Sequence, residues 1–291
     1  MTGYLARHRG LIPYLLLAPG LLWLLVFYVA PGLSMFMSSF WSGTLETGYE
    51  FSLANITNYT EALARFQPQF TRSILYGAAA TLLTFAIAYP LAYAIAFRGG
   101  RYKNLLLFLV VAPFFTSFLL RTISWKVILG DSGIVLGPLK DIGLLSPDFA
   151  VLSTPLAVVS GITYNFLTFM TLPIYVSLEK VDFRLVEAAQ DLYASRLGAF
   201  RRITFPLSLP GVFAGSLLTF IPAMGDYVNA ELLGTTTTTM IGNVIQNQFL
   251  TQNNYPTASA LSFLLMAGIL IAVAVYARLL GTEELTSGGG R

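Results

Sequence analysis

Six stretches of this chain are each long and apolar enough to cross a bilayer, which leaves few folds open to it. A membrane helix needs roughly 20 mostly apolar residues. The stretches cover about 11–40, 72–97, 104–128, 151–178, 209–233 and 257–280. Only 11% of the 291 residues are charged and 55% are hydrophobic, against roughly 25% charged in an ordinary soluble domain. A soluble enzyme, a disordered chain and a nucleic-acid-binding protein all fit this composition poorly. The net charge of +3 comes from scattered residues, so the bilayer and not nucleic acid is the expected partner. Cysteine is absent and His8 is the one histidine, which argues against disulfides, thiolate nucleophiles and multi-histidine metal sites. The expected fold class is all-α, a polytopic membrane helical bundle of six transmembrane helices.

Arg7, His8 and Arg9 precede the first apolar run, as in a secretory signal. The run is too long and aromatic for a signal core, and no A-x-A-like site follows it, so it reads as a retained helix. Pro19, Pro31, Pro90, Pro113, Pro155, Pro173 and Pro222 interrupt the apolar segments. Membrane bundles tolerate such breaks where neighbours or water satisfy the freed backbone. They read as packing kinks or as hinges beside a translocation path. The Lys/Arg bias sets orientation. With the N-terminus cytoplasmic, the inner segments hold 12 of the 17 basic residues but 6 of the 14 acidic ones, and six spans put both termini in the cytoplasm. One membrane domain is expected over 1–281, followed by a polar, Gly-rich disordered tail over 282–291.

Three outer loops are expected. In the first, 41–71, residues 51–59 lead into a short amphipathic surface helix. The second, 129–150, carries Gly130, Gly133, Gly137, Pro138 and Pro147. The third, 234–256, opens with a Thr235–Thr239 run that reads as a β-prone turn, and then shows helical spacing over 241–249. The inner loop over about 179–208 is unusually long for a connection, and such loops have their own structure or a function.

That inner loop runs Glu187-Ala188-Ala189-Gln190-Asp191-Leu192-Tyr193-Ala194-Ser195-Arg196-Leu197-Gly198-Ala199-Phe200-Arg201-Arg202-Ile203-Thr204-Phe205-Pro206. Residues 187–197 form helix readily, and small residues at 188, 189 and 194 let such a helix dock closely into a groove. Arg184 and Glu187 can pair on one face. A second short helix over about 196–203 is expected to end before Pro206, because the residue before a proline disfavours helical dihedrals. The chain then turns into the fifth span at Pro210.

This loop resembles the EAA motif of permease subunits of type I ABC importers, the MetI-like family. Glu187, Ala188, Ala189, Ile203 and Pro206 fall in register, while Tyr193 replaces the family's usual glycine and Phe205 its leucine. A tyrosine with positive φ costs about 1–3 kcal/mol, so the turn is expected to keep ordinary helical dihedrals. The resemblance covers nearly the whole chain. Ala112–Ser117 with Arg121, Pro173–Asp182, Ile221–Tyr227, Glu231–Gly234 and Met240–Ile245 are similar to the spermidine/putrescine importer permeases.

The resemblance implies the type I importer permease fold, a permease domain whose 179–208 loop is the coupling helix, and a bacterial inner-membrane location. It implies as partners a second homologous permease, two P-loop ATPase subunits and an extracytoplasmic solute-binding protein. It assigns Glu187, Ala188, Ala189, Tyr193, Ile203 and Pro206 to the ATPase contact. No G-x-x-x-x-G-K-[ST] loop occurs, so this chain is expected to be no enzyme and to bind no cofactor, with ATP and Mg²⁺ held by the partner ATPases.

Charge within a span is costly and usually functional. A polyamine needs carboxylates for its ammonium groups and aromatic faces for cation–π contact. Asp226, Tyr227 and Glu231 in the fifth span supply these types, with Tyr164 and Trp125 as further path candidates. Asp226 lies roughly 24 Å up a helix counted from Pro210 at ~1.5 Å per residue. Asp226 and Glu231 face one axis only if that helix breaks. Arg121 and Lys126 would repel a polycation, and read as snorkelling to headgroups or pairing with acids. Tyr89, Tyr93 and Phe115 can line a path or simply pack. Asn165 and Thr168 can hydrogen-bond across helices. Iron, a sugar, an opine or thiamine are alternative cargoes, and a stand-alone secondary carrier or a membrane-embedded enzyme are alternative classes.

Overall fold

The computed structural model describes residues 12–44 and 46–279, so Arg7, His8, Arg9 and the tail expected over 282–291 lie outside the described residues. Among the described residues, five helices are long and apolar enough to cross a membrane: Leu16–Ser38, Leu53–Arg98, Pro155–Glu179, Arg196–Met224 and Tyr255–Arg278. A bent pair, Gly100–Phe115 with Phe118–Ile128, makes a sixth if it is counted as one span. The chain groups into two compact units.

The first unit comprises the described residues of Met1–Arg65 together with Asn247–Leu264. Helix α1 (Ile12–Leu24) runs through a π turn, Leu25–Val29, into α2 (Ala30–Ser38). Its apolar side chains from Leu16 to Met37 are exposed, apart from a half-buried Met35, which suits lipid rather than water. A β-hairpin absent from the all-α expectation follows, with β1 (Trp41–Thr44) antiparallel to β2 (Gly48–Phe51). Trp41 stacks on Tyr49 across it, with ring centroids 5.3 Å apart. The Asn58 amide donates to the carbonyls of Ser39 and Trp41, both at 2.9 Å, tying the hairpin base to the start of α3 (Thr57–Arg98). The surface helix expected after residue 59 is thus the first turns of α3, which bends at Phe66 (φ −111°, ψ 16°) but does not end there. Pro68, two residues on, lacks the N–H a regular helix would use at that turn.

The second unit holds Phe66–Gln246 and the described part of Leu265–Arg291. The third apolar stretch is a corrected expectation: it is not one helix. After α4 (Lys103–Val111) and a 3₁₀ turn over Ala112–Phe115, Thr116 and Ser117 are extended (ψ 153° and 136°), and α5 (Phe118–Ile128) leaves at 95°. Pro113 offers no N–H, and the Thr116 hydroxyl donates to the Pro113 carbonyl at 2.7 Å, closing the turn locally. A short α6 (Leu136–Asp141) lies in the following loop.

The fourth stretch forms α7 (Pro155–Glu179), with Pro155 in its first turn and Thr154 capping Ala157 N at 3.3 Å. Next come α8 (Phe183–Asp191) and α9 (Arg196–Ala199). A π turn, Phe200–Thr204, leads into α10 (Phe205–Met224). Then α11 (Val228–Leu233) and α12 (Ile241–Gln246) precede α13 (Tyr255–Leu279). The fifth apolar stretch is therefore two helices broken at residues 225–227, which corrects the continuous span expected over 209–233. The threonine run is a 3₁₀ turn (Thr236–Thr238) rather than a β-prone one, because the Thr238 hydroxyl accepts from Thr235 N at 2.7 Å and the Thr235 hydroxyl from Thr237 N at 3.2 Å.

The core of this unit lies on α7. One cluster joins Ala88, Tyr89, Ala92 and Ile95 of α3 to Met170, Ile174 and Leu178 of α7 and Val212 of α10. Helices α7 and α10 approach through glycine. A Cβ on Gly211 would strike the Pro173 carbonyl, and one on Gly215 would lie 2.9 Å from Met170 Sδ. Close approach through small residues is how membrane helices gain packing contact without a hydrophobic driving force between them.

Candidate functional site

The EAA segment forms an exposed elbow at one end of the second unit. Asp182 starts α8, its carboxylate accepting from Arg184 N at 3.0 Å. Val186 points inward, whereas Glu187 and Ala188 are exposed and Ala189 is half-buried. Arg184 and Glu187 do not form the expected pair. The ion pairs among the described residues are Lys103–Glu179 at 2.7 Å and Lys140–Asp131 at 3.4 Å.

The helix stops at Asp191 instead of running on to 197, and the stop corrects the reading of Tyr193. Its φ is +62°, not helical. Tyr193 N donates to the Gln190 carbonyl at 2.9 Å and Ala194 N to the Ala189 carbonyl at 3.0 Å. These two bonds are the Schellman pattern, which satisfies the last carbonyls of a helix only if the residue after its C-cap is left-handed. Tyr193 is 99% exposed, so no tertiary contact of its side chain within the chain compensates for the unfavourable φ. Leu192 and Leu197 beside it are also largely exposed.

Ser195 caps α9, its hydroxyl accepting from Gly198 N at 3.1 Å. The expected stop before Pro206 is absent. Residues Arg196–Met224 run as one helix, with Phe205 at φ −65° and ψ −50°. The π turn explains this. Phe205 N donates to the Phe200 carbonyl, five residues back, so the widened turn takes up the crowding that a proline ring imposes on the carbonyl four residues before it. The same device precedes Pro31, where Ala30 N donates to the Leu25 carbonyl. Ile203 is half-buried in the π turn and Pro206 is exposed.

An aromatic cluster joins the elbow to α3. Phe200 and Phe205 lie 5.8 and 5.7 Å from Tyr89, Tyr93 lies 6.0 Å from Phe200, and Phe97 lies 5.8 Å from Phe183. The Ser208 hydroxyl donates to the Phe205 carbonyl at 2.8 Å, so it is Tyr89 that donates to Ser208 Oγ, also at 2.8 Å. Tyr89 is buried in this packing.

The proposed path residues separate. Asp226 sits in the break after α10, 7% exposed, and accepts from Asn229 N at 2.9 Å and Asn229 Nδ2 at 2.6 Å. Tyr227, just before α11, and Glu231, one turn on within it, are exposed. The break frees Asp226 from the helical register, but turns it toward Asn229 and away from the exposed face that Tyr227 and Glu231 share. Trp125 and Tyr164, both half-buried, meet edge to face at 5.3 Å. Among the described residues, Arg121 pairs with no carboxylate. Its guanidinium lies 5.7 Å from the Phe118 ring centroid, and its Nε is buried without an acceptor. Sequence reading passed over Thr122, Ser208 and Asn229; the apolar context of the two hydroxyls and the amide was the available signal.

Residues 88–280 match the family described as binding-protein-dependent transport system inner membrane component. The chain is 39% identical over 260 residues to the spermidine/putrescine transport system permease protein PotB of Haemophilus influenzae, covering 88% of this chain and 90% of that protein. The PotB of Escherichia coli is 35% identical over 260 residues, covering 88% of this chain and 93% of that protein. Among solved structures, a bacterial ABC transporter involved in the import of the acidic polysaccharide alginate has a similar fold, with a TM-score of 0.70 at 20% identity, over 95% of this chain and 96% of that chain.

Proposed function

Because the chain belongs to the family of binding-protein-dependent inner-membrane transport components, we propose that it forms half of the translocation path of an ATP-driven importer for polyamines. It is a multi-pass protein of the bacterial inner membrane. In this reading its elbow faces the cytosol, both termini are cytosolic, and a second permease completes the path. Two ATPase subunits hold the Mg²⁺-ATP, and an extracytoplasmic binding protein delivers the cargo.

The observation that carries the reading is the exposed elbow. Glu187, Ala188, Leu192, Tyr193 and Leu197 project from a segment whose backbone is capped at both helix starts and closed by a Schellman turn. An exposed apolar patch on an ordered segment suits a docking surface. When the ATPase pair closes, the elbow moves with it. Tyr89, Tyr93, Phe200 and Phe205 then carry the displacement to α3, while α10 carries it along its own axis. The bundle shifts between two packings, opening first to the binding protein and then to the cytosol. The cargo assignment is supported by the spermidine/putrescine relatives, and by the exposed Tyr227 and Glu231 with the Trp125–Tyr164 pair, which offer the carboxylate and ring faces an alkyl-ammonium chain needs.

The test is uptake of labelled spermidine by the assembled complex in proteoliposomes. ATP-dependent uptake that Glu187→Lys abolishes, together with loss of the co-purifying ATPase, is the expected result. Uptake of an unrelated solute alone rejects the cargo. Uptake without ATP, with no ATPase attached, rejects the importer class.

A further inference from the structure

Both broken spans end their breaks against the same side chain. From α7, Asn165 Nδ2 donates to Thr122 Oγ1 of α5 and to Asn229 Oδ1 of α11, each at 3.1 Å. The three residues are 0–1% exposed. Their orientations are chemically fixed. Asn229 Nδ2 is committed to Asp226, so Asn229 must present its oxygen to Asn165, and Asn165 must answer with its nitrogen. The far half of the third stretch and the far half of the fifth are thus pinned to the unbroken α7 at one point.

Two further contacts hold α11 there. A Cβ on Gly161 would lie 2.7 Å from Asn229 Oδ1, so α11 rests directly on the α7 backbone. Ser153 N donates to the Leu233 carbonyl at 2.9 Å, closing the end of α11. Asn165 Oδ1, by contrast, is buried with no donor. An apolar side chain would avoid the cost of that unpaired acceptor, so packing alone does not account for an asparagine at this point.

We propose that Asn165 is a positioning residue for transport, a pin that makes the two half-helices move as one with α7 and so ties solute passage to ATP hydrolysis. The inference rests on the importer reading above. It concerns the polar pin and not the cargo.

The test compares Thr122→Val, which keeps the shape and loses the hydroxyl, with Thr122→Ser, which keeps the hydroxyl, and with Asn165→Leu. Each is measured as the assembled complex in proteoliposomes, for labelled spermidine moved per ATP hydrolysed and for hydrolysis without binding protein. Thr122→Val and Asn165→Leu are expected to assemble, to move about five-fold less solute per ATP or worse, and to raise unstimulated hydrolysis, while Thr122→Ser matches the wild type. A Thr122→Val complex with a normal ratio overturns the proposal. So does loss of assembly in both Thr122→Val and Asn165→Leu, which would reduce the network to a fold-holding role. A wild-type protein that moves spermidine without ATP and with no ATPase attached removes the importer reading itself, and the inference falls with it.

Discussion

Tyr89 of α3 donates a hydrogen bond to Ser208 of α10 across 2.8 Å in the second unit's core. This polar link inside the elbow's aromatic cluster leads to a first prediction. Tyr89→Phe keeps the ring contacts with Phe200 and Phe205 and removes only the bond, which contributes about 1 kcal/mol. The assembled complex is expected to lose that much stability by chemical denaturation while still binding its ATPase. Ser208→Ala also loses the bond to the Phe205 carbonyl and strands the buried Tyr89 hydroxyl, so it should cost more, and the double variant should cost little more than Ser208→Ala alone, since the Tyr89–Ser208 bond is lost only once. Full additivity would show that the two residues act separately.

The left-handed Tyr193 makes a second prediction. A non-glycine residue there carries a penalty of roughly 1–2 kcal/mol. Tyr193→Gly should therefore strengthen the elbow, read as slower limited proteolysis after α8, and Tyr193→Val, with its branched Cβ, should speed cleavage. Equal rates for all three proteins would mean that the turn stores no strain.

Third, the α7–α10 contact should be intolerant of the smallest side chain. Gly211→Ala drives a methyl into the Pro173 carbonyl, a backbone atom that cannot swing aside. Overpacking of this kind costs about 1–3 kcal/mol. Gly268→Ala in α13, where nothing lies within 4 Å, serves as the control and should leave folded yield unchanged.

Fourth, the Lys103–Glu179 pair looks strong at 2.7 Å, but its side chains are 28% and 48% exposed. A solvent-screened pair contributes no more than about 1 kcal/mol. Glu179→Gln is expected to shift the unfolding midpoint only slightly, and less still in high salt; a large, salt-independent loss would contradict this.

Much of the architecture could be read from residue order, because hydropathy reports the transfer of side chains into lipid. Hydropathy is silent on where backbone bonds fail. Residues 104–128 look like one span by composition, yet Pro113 and the Thr116 hydroxyl redirect the chain at the middle. Asp226 was recognisable as an unusual intramembrane carboxylate, but its capping of Asn229 N became visible only once the break at 225–227 freed that N–H from a continuous helix. At Tyr193 the expectation failed because residue preference was weighed without the two turn bonds that demand a left-handed residue. At Pro206 it failed because a π turn, which no periodicity announces, made room for the ring.

The unbroken Arg196–Met224 segment has a mechanical consequence. Its 29 residues make a strut of roughly 40 Å at about 1.5 Å per residue. One tip is the exposed elbow, and the other stops at the joint beside Asp226. Because helix runs without a break from one tip to the other, a tilt of the elbow in the proposed cycle would carry the whole strut with it, and the first non-helical joint lies a membrane thickness away.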